Sequence, residues 1–169
     1  MTNPLDINMN AFEVAKSAFK VVRRVMDQLA DPVSNTSFYG RTAQEGHDML
    51  DRAEEEVEKL FAFSLFATFE RTLRDHLASN LGAVRTTQTI PAELALALHD
   101  FLFEGSRNWN LDKIIEMFSP PADQQHVGNA KNIRTYRHHV AHGAAPPTAI
   151  PPFTAYRQLT AFLSHAGLI

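Results

Sequence analysis

Apolar residues recur at spacings of three and four along most of the chain, which is the pattern of amphipathic α-helices, and the alternation typical of β-strands is nearly absent. The first apolar stripe runs from Phe12 to Leu29, so we predict a helix there with Asn10 as its N-cap. Asp31-Pro32 is its expected stop, because proline disfavours the helical conformation in the residue before it. Val33 to Gly40 is then predicted to be a turn-rich loop.

A second and much longer helical pattern extends from about Thr42 to Leu81, with Gly82 as its expected C-cap. A straight helix of this length would reach ~60 Å, and a bend near Gly46 is the alternative. Its first half is acidic and its second half is apolar on most sides. We therefore expect a central core helix with a solvated acidic extension, in which the aromatic cluster from Phe61 to Phe69 belongs to the core or to a dimer interface.

Four shorter helices follow, separated by glycine and proline. Their predicted extents are Pro91 to Gly105, Leu111 to Phe118 with Asn110 as N-cap, about Asp123 to His142 with a stop at Gly143, and Phe153 to about Ala166. Ser119-Pro120-Pro121 and the link from Pro146 to Pro152 separate the last three. The expected fold is an all-α, single-domain bundle of about six helices, in which residues 1–40 form an N-terminal helix and loop and residues 42–169 form the core.

Composition places the chain among ordinary globular proteins, at 44% hydrophobic and 21% charged residues. The absence of cysteine excludes disulfides, thiolate zinc sites and a cysteine nucleophile. Glycine-rich phosphate loops, the GxSxG motif and the HExxH motif are also absent, and no cofactor is predicted. The N-terminus does not resemble a signal peptide, and the most apolar window, Phe61 to Phe69, is about half as long as a membrane span. We therefore expect a cytoplasmic protein without a membrane segment.

The net charge of −3 conceals an uneven distribution along the chain. No acidic residue follows Asp123, and the 46 residues after it carry a formal charge of +4 and five of the eight histidines, whereas residues 1–123 carry −7. A segment with cations and imidazoles but no carboxylate suits a polyanion, most simply phosphate. The alternative is that the segment arose by chance or balances the acidic long helix inside the bundle.

Within this segment, the stretch from Arg137 to Gly143 reads Arg-His-His-Val-Ala-His-Gly. His138 and His142 are four residues apart and share a helix face, which also permits a metal site, although no carboxylate lies nearby in sequence to complete one. Arg137 and His142 lie ~140° apart around the helix axis, so one helix does not easily aim both at one atom. Two copies of the helix, related by a two-fold axis, could bring them together. The helix C-terminus favours a protonated His142.

The Arg-x4-His motif, followed by glycine near the end of a late helix, resembles the HEPN superfamily (higher eukaryotes and prokaryotes nucleotide-binding domains). The stretch from Phe69 to Arg74 is similar to an acidic-aromatic segment of several branches, and the turn from Gly105 to Asn110 resembles the branch with RiboL-PSP-type domains. The resemblance covers roughly residues 42–169. Two features depart from the family: His138 stands where asparagine is most common, and Ala144 stands where one branch of toxins has a tyrosine modified by its antitoxin.

The resemblance implies a small helical bundle that is often homodimeric and in many members is a metal-independent endoribonuclease of toxin–antitoxin or defence systems. It implies attack by the ribose 2′-OH, with His142 as acid or base, its two-fold mate in the partner role, and Arg137 holding the scissile phosphate. His138 would assist through a hydrogen bond or as a second proton carrier. The expected partners are RNA, a second copy of the chain, and an antitoxin or other protein. The residues expected to line the substrate groove are Lys131, Arg134, Tyr136 and His139.

The sequence leaves other functions open, because one arginine and one histidine are necessary for such cleavage but not sufficient. The first alternative is a non-catalytic HEPN-like dimer that binds RNA, a nucleotide or a protein. The second is a purely structural dimeric helical protein. Glu70 has two interpretations as well: it orients an arginine or histidine of a neighbouring helix, or it is a salt-bridged residue at the edge of the core. Trp109 is expected to be a packing anchor, and His165 carries no functional signal.

Overall fold

The computed structural model describes residues 2–28, 36–118, 123–146 and 148–169. These residues form six α-helices and no strand, which confirms the predicted all-α bundle. The helices are α1 (Asp6–Gln28), α2 (Ala43–Arg85), α3 (Ala92–Arg107), α4 (Leu111–Met117), α5 (Gln124–Ala141) and α6 (Pro152–His165). No helix in the described ranges combines the length and the apolar character needed to cross a membrane.

Helix α1 begins at Asp6, four residues before the predicted N-cap Asn10, so that prediction is wrong. The chain turns into the helix at Asn3, whose side-chain Oδ1 accepts a hydrogen bond from the Leu5 backbone N–H at 3.1 Å. Leu5 and Met9 are buried and extend the apolar stripe by two turns, which favours helix over the polar cap at Asn10. The predicted stop at Asp31-Pro32 and the end of the stripe at Leu29 lie outside the described residues.

Helix α2 begins with a capping box, in which Thr42 Oγ1 accepts from the Glu45 backbone N–H and Glu45 accepts from the Thr42 backbone N–H. The helix continues through Gly82 to Arg85, so the prediction of Gly82 as its C-cap is wrong. Nothing lies within 4 Å of a Cβ added at Gly82, and this glycine keeps a helical conformation. At 1.5 Å per residue, the 43 residues span about 64 Å.

The predicted alternative of a bend at Gly46 is not observed as a break, since α2 is one helix through this residue. Gly46 is buried where α1 approaches α2, and a Cβ there would collide with the terminal methyl group of Met26 and come within 3.7 Å of Phe38. Glycine at this position therefore permits a close helix contact and does not interrupt the helix.

The four shorter helices match their predicted positions within two residues at each end. Asn110 caps α4 as predicted, because its Oδ1 accepts from the Lys113 backbone N–H at 2.9 Å. Helix α3 extends two residues beyond Gly105, and α6 starts at Pro152 and not at Phe153. The predicted helix breaker Ser119-Pro120-Pro121 lies outside the described residues.

The second half of α2 is the centre of the hydrophobic core, as the sequence predicts. Phe61 stacks on Phe12 of α1 with ring centroids 4.4 Å apart, and Phe69 meets Phe162 of α6 edge to face at 5.3 Å. The largest fully buried side chains are Phe66, Phe69, Phe162, Leu5, Leu65, Leu73, Ile114, Ile115, Ile133, Leu159 and Leu163. Phe63 points away from this core and is half-buried, which makes its ring available to α5.

The acidic first half of α2 is partly covered by α1 through ion pairs, and we call this contact the α1–α2 seam. Lys16 bonds Glu54 and also Glu58, the latter at 2.9 Å. Arg23 bonds Glu54 and Asp51, each at 2.7 Å. The hydrogen bonds from Lys16 and Arg23 lower the pKa of Glu54 below its usual value. The acidic half of α2 is thus a docking surface for α1 as well as a solvated extension.

Candidate functional site

Helix α5 ends in a Schellman motif, which fixes the backbone of the predicted catalytic histidine. His142 is the C-cap, and Gly143 adopts a left-handed conformation with φ of 66°. The Ala144 backbone N–H donates to the His139 carbonyl at 2.9 Å, and the Gly143 N–H donates to the Val140 carbonyl at 3.2 Å. This closure confirms the predicted stop of the helix at Gly143.

The side chains of His138 and His142 lie together on the surface at this end of α5. Their ring centroids are 4.4 Å apart and the ring planes meet at 61°. Both residues are exposed. As the sequence predicts, His138 and His142 share a face of the helix. Their spacing of four residues brings two imidazoles side by side at the negative end of the helix dipole.

Arg137 points to a different side of α5, toward α2. Its Cζ lies 5.6 Å from the centroid of the Phe63 ring, which is a cation–π contact. The side chain is half-buried, and its Nε–H is buried without a hydrogen-bond acceptor in the described residues. No contact joins Arg137 to His142 within the described part of the chain, in agreement with the angle between them on one helix. We refer to Arg137, His138 and His142 as the basic end of α5.

Lys131 and Arg134 lie one to three turns before the basic end of α5, and each forms an ion pair with a carboxylate. Lys131 Nζ pairs with Glu116, and Arg134 Nη1 lies 2.7 Å from Asp112 Oδ2. Both acids belong to α4, so the tail of the chain is balanced there by α4 and not by the long acidic helix. These two cations, which the sequence assigns to a substrate groove, are engaged in holding α4 against α5.

Tyr136 lies on the flank of α5 that faces α6, and His139 lies about one turn further along the helix. Tyr136 is half-buried and lines a cavity between the two helices. The ring of His139 lies 6.2 Å from that of His138, nearly perpendicular to it at 81°. His139 is therefore a neighbour of His138, although the two side chains leave the helix in different directions.

A second pair of imidazoles, which the sequence does not reveal, lies at the other end of α5. The rings of His126 and His165 are 4.1 Å apart, and His126 Nδ1 is buried without a hydrogen bond in the described residues. His126 also lies beside Asp123, whose pKa is lowered mainly by the hydrogen bond from the His126 backbone N–H. The two histidines are 39 positions apart on different helices, so only the packing of α5 against α6 brings them together.

The upstream residues of the resemblance have structural roles. Glu70 Oε1 accepts hydrogen bonds from Arg74 on the same helix at 2.9 and 3.0 Å, which fits the interpretation of a salt-bridged residue at the edge of the core. Trp109 packs against the core, and Lys113 lies 5.9 Å above its ring, so its expected role as a packing anchor is confirmed.

The electrostatic character of the basic end of α5 follows from these contacts. Within the described residues no carboxylate pairs with Arg137, His138 or His142, whereas the cations nearer the start of the helix are neutralised. No group of three histidine, aspartate or glutamate side chains in the described ranges is arranged to hold a metal ion. The arrangement offers two exposed imidazoles to an anion on one side of the helix and a half-buried guanidinium on another.

The chain was compared with family models, curated proteins and solved structures. No family model matches it, and no curated protein or solved structure is significantly similar to it.

Proposed function

We propose that the protein is a metal-independent endoribonuclease of HEPN type that uses Arg137 and His142 from two protomers. The observation that carries this proposal is the basic end of α5, where a guanidinium and two exposed imidazoles lie without a carboxylate among the described residues. The phosphodiester of RNA is an anion that such a set recognises, and imidazole is the side chain best suited to proton transfer near neutral pH.

The chemistry requires a base, an acid and a cation. One imidazole takes the proton of the ribose 2′-OH, and the resulting oxygen attacks the adjacent phosphorus. The bond from phosphorus to the 5′ oxygen breaks, and a second, protonated imidazole gives its proton to that oxygen. The products are a 2′,3′-cyclic phosphate and a 5′-hydroxyl, and the Arg137 guanidinium stabilises the charge that develops on the phosphorane.

Two sources for the second imidazole are compatible with this scheme. His138 lies 4.4 Å from His142 in the same protomer, and His142 of the partner subunit is the alternative. Because Arg137 faces α2 while His142 lies at the exposed end of α5, a phosphate bound to His142 would take its guanidinium from the second protomer. Activity per chain should therefore fall when the protein is diluted below the concentration at which it dimerises.

The test uses purified protein, single-stranded RNA and EDTA. We expect cleavage with cyclic-phosphate ends, resolved on denaturing gels, and loss of at least about a hundredfold in His142→Ala and in Arg137→Ala. His47→Ala is the matched control, because it removes an imidazole that pairs with Asp27 at the α1–α2 seam. A requirement for a divalent metal, or activity that survives both substitutions, would rule out the mechanism.

A non-catalytic RNA-binding module is the second candidate, and one observation favours it. Arg137 lies against Phe63 with its Nε buried, a position that also suits an arginine fixed for binding or packing. In that case the same experiment gives RNA binding that weakens in Arg137→Ala, and no cleaved product in the wild type.

A further inference from the structure

A cavity of about 330 Å³ opens between α5, the segment that precedes α6, and α6 itself. Asn132, Thr135 and Tyr136 contribute to its wall from α5, and Thr154 and Gln158 contribute from α6. Ile150 and its neighbours in the proline-rich link form the remaining side. The volume falls at the lower end of the range of ligand-binding pockets, which suits a small ligand or one small group of a larger one.

No charged side chain lines this cavity among the described residues, and its wall combines apolar side chains with a few polar ones. Two of them are amides, Asn132 and Gln158, and each amide offers both a donor and an acceptor. Neither amide, nor the Tyr136 hydroxyl, makes a hydrogen bond to another residue in the described part of the chain. These groups are therefore not used to hold the fold together, and a ligand with its own donors and acceptors could replace the water around them.

The cavity is connected to the basic end of α5 by the register of the helix. Asn132, Thr135, His139 and His142 follow one another at spacings of three, four and three residues, so they lie along one face. From Asn132 to His142 the rise is about 15 Å. An extended RNA strand that follows this face would place one nucleotide in the cavity and a phosphate at the paired imidazoles of His138 and His142.

We propose that the cavity binds one unpaired nucleobase of the RNA strand whose scissile phosphate lies at Arg137 and His142, and that Asn132 and Gln158 determine which base is accepted. This proposal rests on the proposed ribonuclease function and adds sequence preference to it. Bases of single-stranded RNA are recognised by hydrogen bonds to their edges and by stacking on aromatic rings, which the two amides and Tyr136 supply.

The test measures binding and cleavage in parallel on the full chain. Binding is followed by fluorescence anisotropy with four homopolymeric oligonucleotides of 2′-O-methyl RNA, which lack the free 2′-OH and are not cleaved. We expect the wild type to bind one of them about tenfold more tightly than the weakest. The double substitution Asn132→Ala and Gln158→Ala should bring the four affinities within about threefold of each other.

Cleavage sites are mapped on a mixed-sequence RNA for the same proteins. The double variant should lose its base preference, and its cleavage at the preferred sites should fall to the rate at the other sites. Gln88→Ala is the matched control, since it removes an exposed amide from the loop between α2 and α3 and should keep the preference. Gln158→Glu, which keeps the size of the side chain but removes its amide donors, should change the preferred base. Equal thermal melting curves establish that each variant is folded.

The outcomes separate the two proposals. If the wild type cuts RNA in a manner that depends on His142 but shows no base preference, or keeps its preference in the double variant, the nucleobase pocket is wrong and the ribonuclease proposal stands. If the wild type shows preferential binding that the double variant loses but no cleavage, the pocket is supported and the catalytic proposal fails. If the wild type neither binds nor cuts RNA, both proposals fail.

Discussion

The α1–α2 seam and the basic end of α5 both carry cationic side chains, but the two regions differ in what surrounds those charges. At the seam, Lys16 and Arg23 each bond two carboxylates of α2. At the basic end of α5, Arg137 lies on an aromatic ring and the imidazoles of His138 and His142 lie on each other. Charge that is paired inside the chain holds helices together, whereas charge without a partner remains available to a ligand.

Helix α5 contains the same contrast along its own length. Lys131 and Arg134 pair with Glu116 and Asp112 of α4, and the next cation, Arg137, has no such partner among the described residues. A count of charges along the tail treats these three residues as equal. Their contacts divide them into two cations that serve packing and one that the proposed activity uses.

The largest expected effect is on the rate of RNA cleavage, and it distinguishes Arg137 from Lys131 and Arg134. Arg137→Ala should reduce RNA cleavage by about a hundredfold or more, because it removes the cation proposed to stabilise the transition state. Lys131→Ala and Arg134→Ala should each change cleavage by less than about threefold, since their charges are already neutralised by α4. Initial rates on one RNA substrate measure all three. Equal losses in the three variants would remove the distinction between paired and unpaired cations.

At the seam, the expected effect is on stability and on its pH dependence. Glu54→Gln should lower the free energy of unfolding by about 1 kcal/mol at neutral pH, because Glu54 bonds both Lys16 and Arg23. The pKa of Glu54 is lowered by these two cations from its ordinary value of 4.5, so the stabilisation is complete above that pH and is lost as the pH falls through the lowered pKa.

Urea denaturation at neutral pH and at a pH well below 4.5 measures this difference. The gap between wild type and Glu54→Gln should close in acid. Glu13→Gln serves as the control, because Glu13 is exposed on α1 and forms no ion pair within the described residues. A gap that is constant with pH would mean that Glu54 stabilises the seam by packing and not by its charge.

Gly46 tests how closely the seam is packed. Gly46→Ala should destabilise the protein by about 0.5 kcal/mol, since the clash with Met26 outweighs the gain in helix propensity. Gly82→Ala, in the same helix but with open space around it, should instead stabilise by about 0.5–1 kcal/mol. Chemical denaturation of both variants gives the sign of each change, and a stabilising Gly46→Ala would show that Met26 moves aside freely.

The smallest effect concerns the salt dependence of RNA binding. If only the basic end of α5 contacts phosphates, the plot of log affinity against log salt should have a slope of about −1.4 to −2.1, which corresponds to two or three neutralised phosphates of a single strand. Anisotropy titrations over a range of salt concentrations measure the slope. A markedly steeper slope would mean that Lys131 and Arg134 leave their carboxylates and join the RNA interface.

Much of the fold could be predicted from the sequence because helix periodicity and local capping are encoded within a few residues. The caps at Asn110 and Gly143 are examples, since each depends on one side chain or one backbone conformation. Gly82 and Asn10 show the limit of such signals. At Asn10 a local cap competed with the burial of Leu5 and Met9, and burial decided the outcome. At Gly82 the helix continues to Arg85 although none of the three residues after the glycine is buried, and no contact among the described residues explains this extension.

The candidate site was predictable only in part. The spacing of His138 and His142 fixes their contact, because both lie on one helix. The packing of Arg137 on Phe63, the pairing of Lys131 with Glu116, and the contact between His126 and His165 all join different helices. Such contacts depend on how the helices are arranged, and no spacing within a single segment specifies them.

Gly143 ends α5 in a left-handed turn, and hydrogen bonds from the cap to the carbonyls of the last turn hold the backbone of His142 in place. Immobilising one backbone residue costs roughly 1–2 kcal/mol of conformational entropy. In this chain the backbone of His142 is already ordered by folding. The binding of an anion there therefore has to order only the side-chain torsions of the imidazole. Because of this turn, part of the conformational entropy that ligand binding would otherwise cost is already lost when the helix folds.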